Sequence, residues 1–590
     1  MYDLRFGSRF QKCRLLVFLL SVLAAGCGRA EVQAGSAMGL RDAGSGAGSG
    51  GAGAMGGMTI ISSIDAAMSV DSVPPIDLPP PLTDFPVDPI LDGASVPANA
   101  PDLFTNTAPR NWGAPCIVSP EPNTLVPMNW LRPRFEFLRA SDENLFEIKL
   151  TVAGFAHPLL IYTAGETAHA WHKGDSTYAL DANLWDQLRA SVTDQPITVS
   201  IRALTLSSSG TVQTAPSLAA TSSFTVAPVE APGKIVYWAL TQAGAGSLKG
   251  FGIGEEGVED VLLVGQVKAS IPTQDNCIGC HAATPDGRGV GMVLGSNGDA
   301  TYFNSIADIQ EGTAGNIPSY VDPGALTTLR ATKGGTPAFS LAHWLDGDRI
   351  MITTSDNNAT SDIGNLHWLQ LDSPNQQGVL ARTGDSNLAT EPTFSHDGQT
   401  IAYVSSPGTS SVYDGRLTNG PADIYSVPYG DRKGGAATPI TGAADPNYTE
   451  YYPAYCPDDT LIAFTRMAGN GNSYSNSAAE VFLVSAKGGV AQRLAANDVA
   501  TCLNGIQSPG LTNDWPKWSP HATSANGKTY YWLTFSSHRS GTAQLFVTAV
   551  VLDGGSLTTY PALYLWNQPP SESNHTPSWD DYQIPPIIQR

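Results

Sequence analysis

Charge is scarce in this chain. Only 14% of its 590 residues are Asp, Glu, Lys or Arg, and 32 basic residues face 53 acidic ones, a formal net charge of −21. A net negative surface argues against nucleic acid and against anionic lipid as partners. Long apolar runs are scarce too: past the N-terminal segment none approaches the about 18 apolar residues of a membrane span. Cysteine occurs seven times, with a single C-x-x-C and no nearby H-x-x-x-H partner, which excludes the common zinc clusters. Long amphipathic helical patterns are few, whereas Gly (60) and Pro (43) are abundant. Many turns and few helices imply an all-β protein.

Against this background one motif stands out, Cys277-Ile278-Gly279-Cys280-His281. C-x-x-C-H is the attachment pattern of c-type haem. Two thiols three positions apart can each form a thioether to one edge of a porphyrin, and the following imidazole ligates the iron as the proximal ligand. The motif alone also permits a redox dithiol or a local disulfide.

Haem is joined to such motifs outside the bacterial cytoplasm, and the N-terminus carries an export signal. Arg5, Arg9, Lys12 and Arg14 precede a short apolar run over residues 15–23, too short for a membrane span. It ends in Ala24-Ala25-Gly26-Cys27, which resembles a bacterial lipobox. That resemblance implies lipidation of Cys27 and, with Gly28 next rather than Asp, an outer-membrane lipoprotein. The membrane would be reached by this anchor alone.

Residues 1–27 are therefore assigned to the signal and lipobox. Residues 28–114, with a Gly/Ser tract at 44–51 and prolines at 74–75 and 79–81, read as a disordered tether. Residues 115–231 contain apolar or alternating segments at 135–138, 146–150, 159–162, 197–201 and 222–226, the pattern of a small β-sandwich. This segment resembles a fibronectin type III or immunoglobulin-like module. His169, Trp171 and His172 lie together in it, where solvated surface is the simpler reading than a ligand site.

Residues 232–590 carry a repeat in which a Pro and a Ser-Pro-Asp-Gly-like turn precede an apolar strand. Copies read Thr284-Pro285-Asp286-Gly287, Trp344-Leu345-Asp346-Gly347, Ser395-His396-Asp397-Gly398 and Cys456-Pro457-Asp458-Asp459, with Asp residues 60, 51 and 61 apart. Trp515-Pro516-Lys517-Trp518-Ser519-Pro520 is a fifth copy and Thr576-Pro577-Ser578-Trp579-Asp580 a sixth, degenerate one. Units of this length with several short strands are propeller blades. The repeats resemble the TolB-type β-propeller family, most closely in the third and fourth copies, implying six blades. Segments 234–238, 248–251 and 258–264 are left over before Cys277. They can complete the last blade and hide its sheet edges.

If the strand after each turn is innermost, C-x-x-C-H occupies a loop at the channel mouth, near Glu391, Tyr452, Asp514-Trp515 and Asn574-His575. His575 is then the first candidate for a distal haem ligand, with Met292, Met351, His343 and His538 as alternatives. A Cys456–Cys502 disulfide is expected, leaving Cys116 unpaired. The expected function is a lipid-anchored protein with one covalent haem c, transferring electrons with an unknown redox or envelope protein. The alternative is a non-enzymatic TolB-like module that binds protein or glycan, with a structural haem or none. Propellers of this kind also accompany serine peptidases, but no G-x-S-x-G elbow is present and the sequence runs out with the last repeat.

Overall fold

The computed structural model describes residues 80–584 apart from 173, 241–245, 271–276, 296–302, 332–334, 358–361, 412–415, 418–420, 470 and 472. The signal segment and Cys27 lie outside the described residues. Strands dominate, and helices are short.

Six strands face one another in a ring: β1 (Cys277–Ala283), β2 (Ala338–Phe339), β3 (Leu388–Phe394), β4 (Tyr448–Tyr455), β5 (Asp514–Trp518) and β6 (Ser573–Asp580). Each opens an antiparallel sheet that runs outward. From β4, for example, the order continues through Leu461–Ala468, Glu480–Ser485 and Gln492–Arg493. The fold is a β-propeller. Its ring is closed by chain ends far apart in sequence. β6 pairs antiparallel with Lys234–Leu240, which continues to Gly246–Gly252 and Glu259–Leu262. Pairing a C-terminal strand with an N-terminal one covers the edge that Lys234–Leu240 would otherwise expose.

The repeat motif is the inner strand plus the turn that leaves it. In the third blade Ser395 Oγ donates to Asp397 Oδ1 (2.6 Å). In the first, Thr284 Oγ1 donates to Asp286 Oδ1 (2.5 Å). Glycine is needed after these Asp residues because φ is +67° at Gly287 and +69° at Gly398. The turn therefore follows the innermost strand, and the expectation that it precedes it is corrected. The apolar run after each turn is the second strand, which is covered on both faces by neighbouring blades. The innermost strand lines the channel and reads as less hydrophobic. The second blade departs from the pattern: after Ser340 caps it, a helix (Leu341–Leu345) replaces the turn.

Ahead of the propeller, one sheet is ordered Ile90–Asp92, Leu159–Thr163, Leu145–Val152, Pro196–Leu206, Ala220–Val226 and Thr124–Val126. A second contains Cys116–Ser119, Arg134–Leu138 and Ala179-ended Ser176–Ala179. Both contribute to one apolar cluster, with Phe135, Phe137, Ile148 and Ile201 wholly buried, and that cluster continues into Trp532, Leu545 and Val547 of the propeller. The tether expected over 28–114 is shorter than that. Phe85 and Phe104 are buried, Ile90–Asp92 pairs parallel with Leu159–Thr163, and a helix spans Ala100–Thr105. Three residues of strand between polar neighbours carry too weak a periodicity to be seen in the sequence.

Candidate functional site

C-x-x-C-H lies within the innermost strand β1 rather than in a loop at the channel mouth. The strand is irregular there: its pairing with Gly289–Gly295 shifts between Gly279 and His281, and Cys280 has φ +39°. This irregularity is shared. Glu391, Tyr452, Trp515 and Thr576 occupy the same place in β3, β4, β5 and β6, with φ of +53°, +57°, +53° and +51°. Positive φ in a non-glycine residue carries a cost of about 1–3 kcal/mol and persists where surrounding packing imposes it. Five of the six inner strands thus carry a bulge at this place, and Ala338–Phe339 of the second blade does not.

The residue after each of these positions is Pro392, Pro453, Pro516 and Pro577, and Pro337 precedes the inner Ala338–Phe339. In the first blade that place is taken by His281. Its side chain is wholly buried. Nε2 lies 3.2 Å from the Val236 carbonyl, so Nε2 carries the proton and donates. Nδ1 is then a bare lone pair, and it is buried with no partner. Burial pushes the imidazole down to about 4, against a smaller opposing effect of the Val236 carbonyl, so the ring is neutral at neutral pH. A neutral imidazole with an unused lone pair is the form that ligates a metal. Cys280 is wholly buried in an apolar cluster with Phe339 and Met351, between the first two blades. The side chain of Cys277 lies outside the described residues. Among the described residues no three His, Cys, Asp or Glu side chains group as metal ligands.

His575, the expected distal ligand, is held between two indoles. Its ring stacks on Trp515 (4.8 Å, 12°) and meets Trp238 edge-on (4.2 Å, 88°), and Nδ1 is 2.8 Å from Thr576 Oγ1. Of the alternatives, Met292 is the register partner of His281. Met351 is core of the second blade. His343 bonds the Gly398 carbonyl at the turn end of its blade (3.0 Å). His538 is pushed down to about 4 by burial. His169 is exposed, with Nδ1 3.0 Å from the Trp566 carbonyl, and His172 is half-buried, with Nδ1 2.7 Å from Asp175 in the same loop. With Trp171 against Phe546, His169 docks the N-terminal sheets on the propeller.

The expected Cys456–Cys502 disulfide is corrected. Cys502 is bonded to Cys116, 386 residues away, with Cα atoms 5.7 Å apart. Cys456 instead occupies the hydroxyl position of the blade turn. Its Sγ donates to Asp458 Oδ1 (3.0 Å) as Ser395 does to Asp397, and it accepts from Leu461 N–H (3.1 Å). Burial and then the Asp458 carboxylate push this thiol up to about 12. The equivalence of Ser395 and Cys456 in the repeat was the signal that could have removed Cys456 from the pairing.

No family model and no curated protein matches the sequence. Among solved structures, this chain is similar to a protein described as a putative TolB from Agrobacterium tumefaciens (14% identity, 58% of this chain and 98% of that one, TM-score 0.30). It is also similar to a hypothetical selenium-binding protein from Sulfolobus tokodaii (10%, 75% and 96%, TM-score 0.34). A third is the β-propeller domain of the Trilobed protease from Pyrococcus furiosus (9%, 62% and 92%, TM-score 0.27). No helix among the described residues is long and apolar enough to cross a membrane.

Proposed function

We propose that this chain is an exported, lipid-anchored c-type haem protein that transfers single electrons in the cell envelope. The observation that carries the reading is His281. It follows Cys277-x-x-Cys280, stands where neighbouring blades have proline, and keeps a buried nitrogen lone pair with no partner. Two thiols and a neutral imidazole make the donor set of haem c. Cys277 and Cys280 would hold the porphyrin edge and His281 the iron. Bound haem supplies a reversible one-electron couple. The chain's own part is to keep the imidazole neutral by burial and to fix its tautomer through Val236. In the folded chain Cys280 packs toward the second blade while His281 reaches Val236 of the last, so the two side chains do not face one common site. The lipobox at Cys27 supports anchoring at the outer membrane.

The test is a reduced-minus-oxidised pyridine haemochrome spectrum of the mature chain made with haem-maturation machinery, beside a Cys277→Ala/Cys280→Ala variant. A covalent c-type spectrum that disappears in the variant is the expected result. No haem in the parent chain overturns the reading and leaves a binding propeller. Mass spectrometry of the processed N-terminus tests acylation of Cys27 separately.

A further inference from the structure

Two carboxyl side chains meet out of water where the N-terminal sheets dock on the fifth blade. Glu136 lies in Arg134–Leu138, and Asp175 leads into Ser176–Ala179, the strand paired with it. Both side chains are buried. Glu136 accepts from the backbone N–H of Trp171 (3.3 Å) and of His172 (3.0 Å), and Asp175 Oδ1 is 2.7 Å from His172 Nδ1. Together they hold residues 169–172 against the propeller. Trp171 meets Phe546 edge-on (6.2 Å), and His169 Nδ1 is 3.0 Å from the Trp566 carbonyl. His169 has φ +59°, a conformation that surrounding contacts must impose. Of the other charged or titratable groups around the pair, Arg134 turns to Glu166 (3.6 Å) and Tyr564 faces it from the fifth blade. Lys173 lies outside the described residues.

Two carboxyl groups in contact and shielded from water do not both ionise, so the pair retains a proton. Burial raises Glu136 well above its ordinary 4.5, and the Asp175 carboxylate adds to this against the backbone N–H groups of His172 and Trp171. Glu136 is the donor of the hydrogen bond between the two. We propose that Glu136 and Asp175 form a proton-held latch: one shared proton keeps residues 169–172 docked on the fifth blade, and its loss as pH rises frees them. The inference does not depend on the haem reading above. The proton is bound in the docked form and released on undocking. Docking is therefore strongest in acid and weakens as pH rises out of the ordinary carboxyl range. The opening constant grows about tenfold per pH unit until the docked pair itself ionises.

The experiment compares the mature chain with its Glu136→Gln and Asp175→Asn variants. Infrared spectra at neutral pH report the protonated carboxyl. Glu121 and Glu450, each pushed up to about 7 by burial, absorb in the same region, so the parent-minus-variant difference is read. A protonated-carboxyl band is expected in both differences, because Gln carries no such proton and because Glu136 beside an amide donor ionises. Amide exchange of residues 169–172 is followed by mass spectrometry and corrected for the intrinsic rate. Protection in the parent should fall about tenfold per pH unit above about pH 5, and far less steeply in either variant. No band in the differences, or equal slopes in parent and variants, overturns the latch. Should Glu136→Gln misfold, because its amide cannot accept from both N–H groups, Asp175→Asn decides the question alone.

Discussion

At the scale of single residues, substitution within a repeat separates function from scaffold. His281 and Cys456 each replace the residue other blades use, with opposite consequences. Cys456 reproduces the hydroxyl's hydrogen bond to Asp458, so Cys456→Ser should leave urea stability within about 1 kcal/mol of the parent. Cys456→Val, which strips Asp458 of that donor, should cost about 1–3 kcal/mol. His281 has no scaffold equivalent, and its burial has a pH signature in the haem-free chain. Its folded value is lowered to about 4 from an ordinary 6.5. The neutral form is therefore favoured by folding. The stability linked to it is fully present above the ordinary value and is lost as pH falls toward about 4. The amplitude is on the order of 3 kcal/mol at 1.36 kcal/mol per unit. Urea midpoints measured between about pH 7 and pH 4 should fall more steeply in the parent than in His281→Asn; parallel curves would remove the assignment.

At the scale of elements, the N-terminal sheets and the propeller behave as one packed body. Their apolar cluster is continuous, the His169–Trp171–His172 loop docks on Trp566 and Phe546, and Cys116–Cys502 ties the two. A cross-link closing so long a loop restricts the unfolded chain strongly, and losing a native disulfide commonly costs about 2–5 kcal/mol. Cys502→Ser, like reductant, should lower the thermal midpoint of both parts together. Near-ultraviolet dichroism should report one transition, whereas two separated transitions would mean that the interface contributes little. The change in composition suggested a boundary at 115, whereas the described residues before it pack with the sheets that follow: Phe85 is buried in their core and Ile90–Asp92 pairs with Leu159–Thr163. Phe85, Ile90 and Phe104 are spaced too irregularly to form a pattern, and they are buried only because a sheet edge and an apolar face are there to receive them.

At the scale of the molecule, closure is the decisive contact. Trp579 is buried at the seam and donates through Nε1 to the Pro232 carbonyl (2.7 Å). Trp579→Ala should cost about 3–5 kcal/mol and should raise amide exchange in Lys234–Leu240 more than in the fourth blade; uniform exchange across blades would contradict closure as the weak point.

The sequence by itself determined the all-β class, the repeating unit, the leftover strands that finish the last blade and the C-x-x-C-H motif. All of these are local or periodic: turn residues, alternation and spacing survive reading in one dimension. Tertiary structure alone decided which strand of each blade is innermost, which cysteine meets Cys502, and that His575 stacks between Trp515 and Trp238. Those facts depend on which residues far apart in the chain come within a few ångströms when the ring closes, and periodicity carries no information about that.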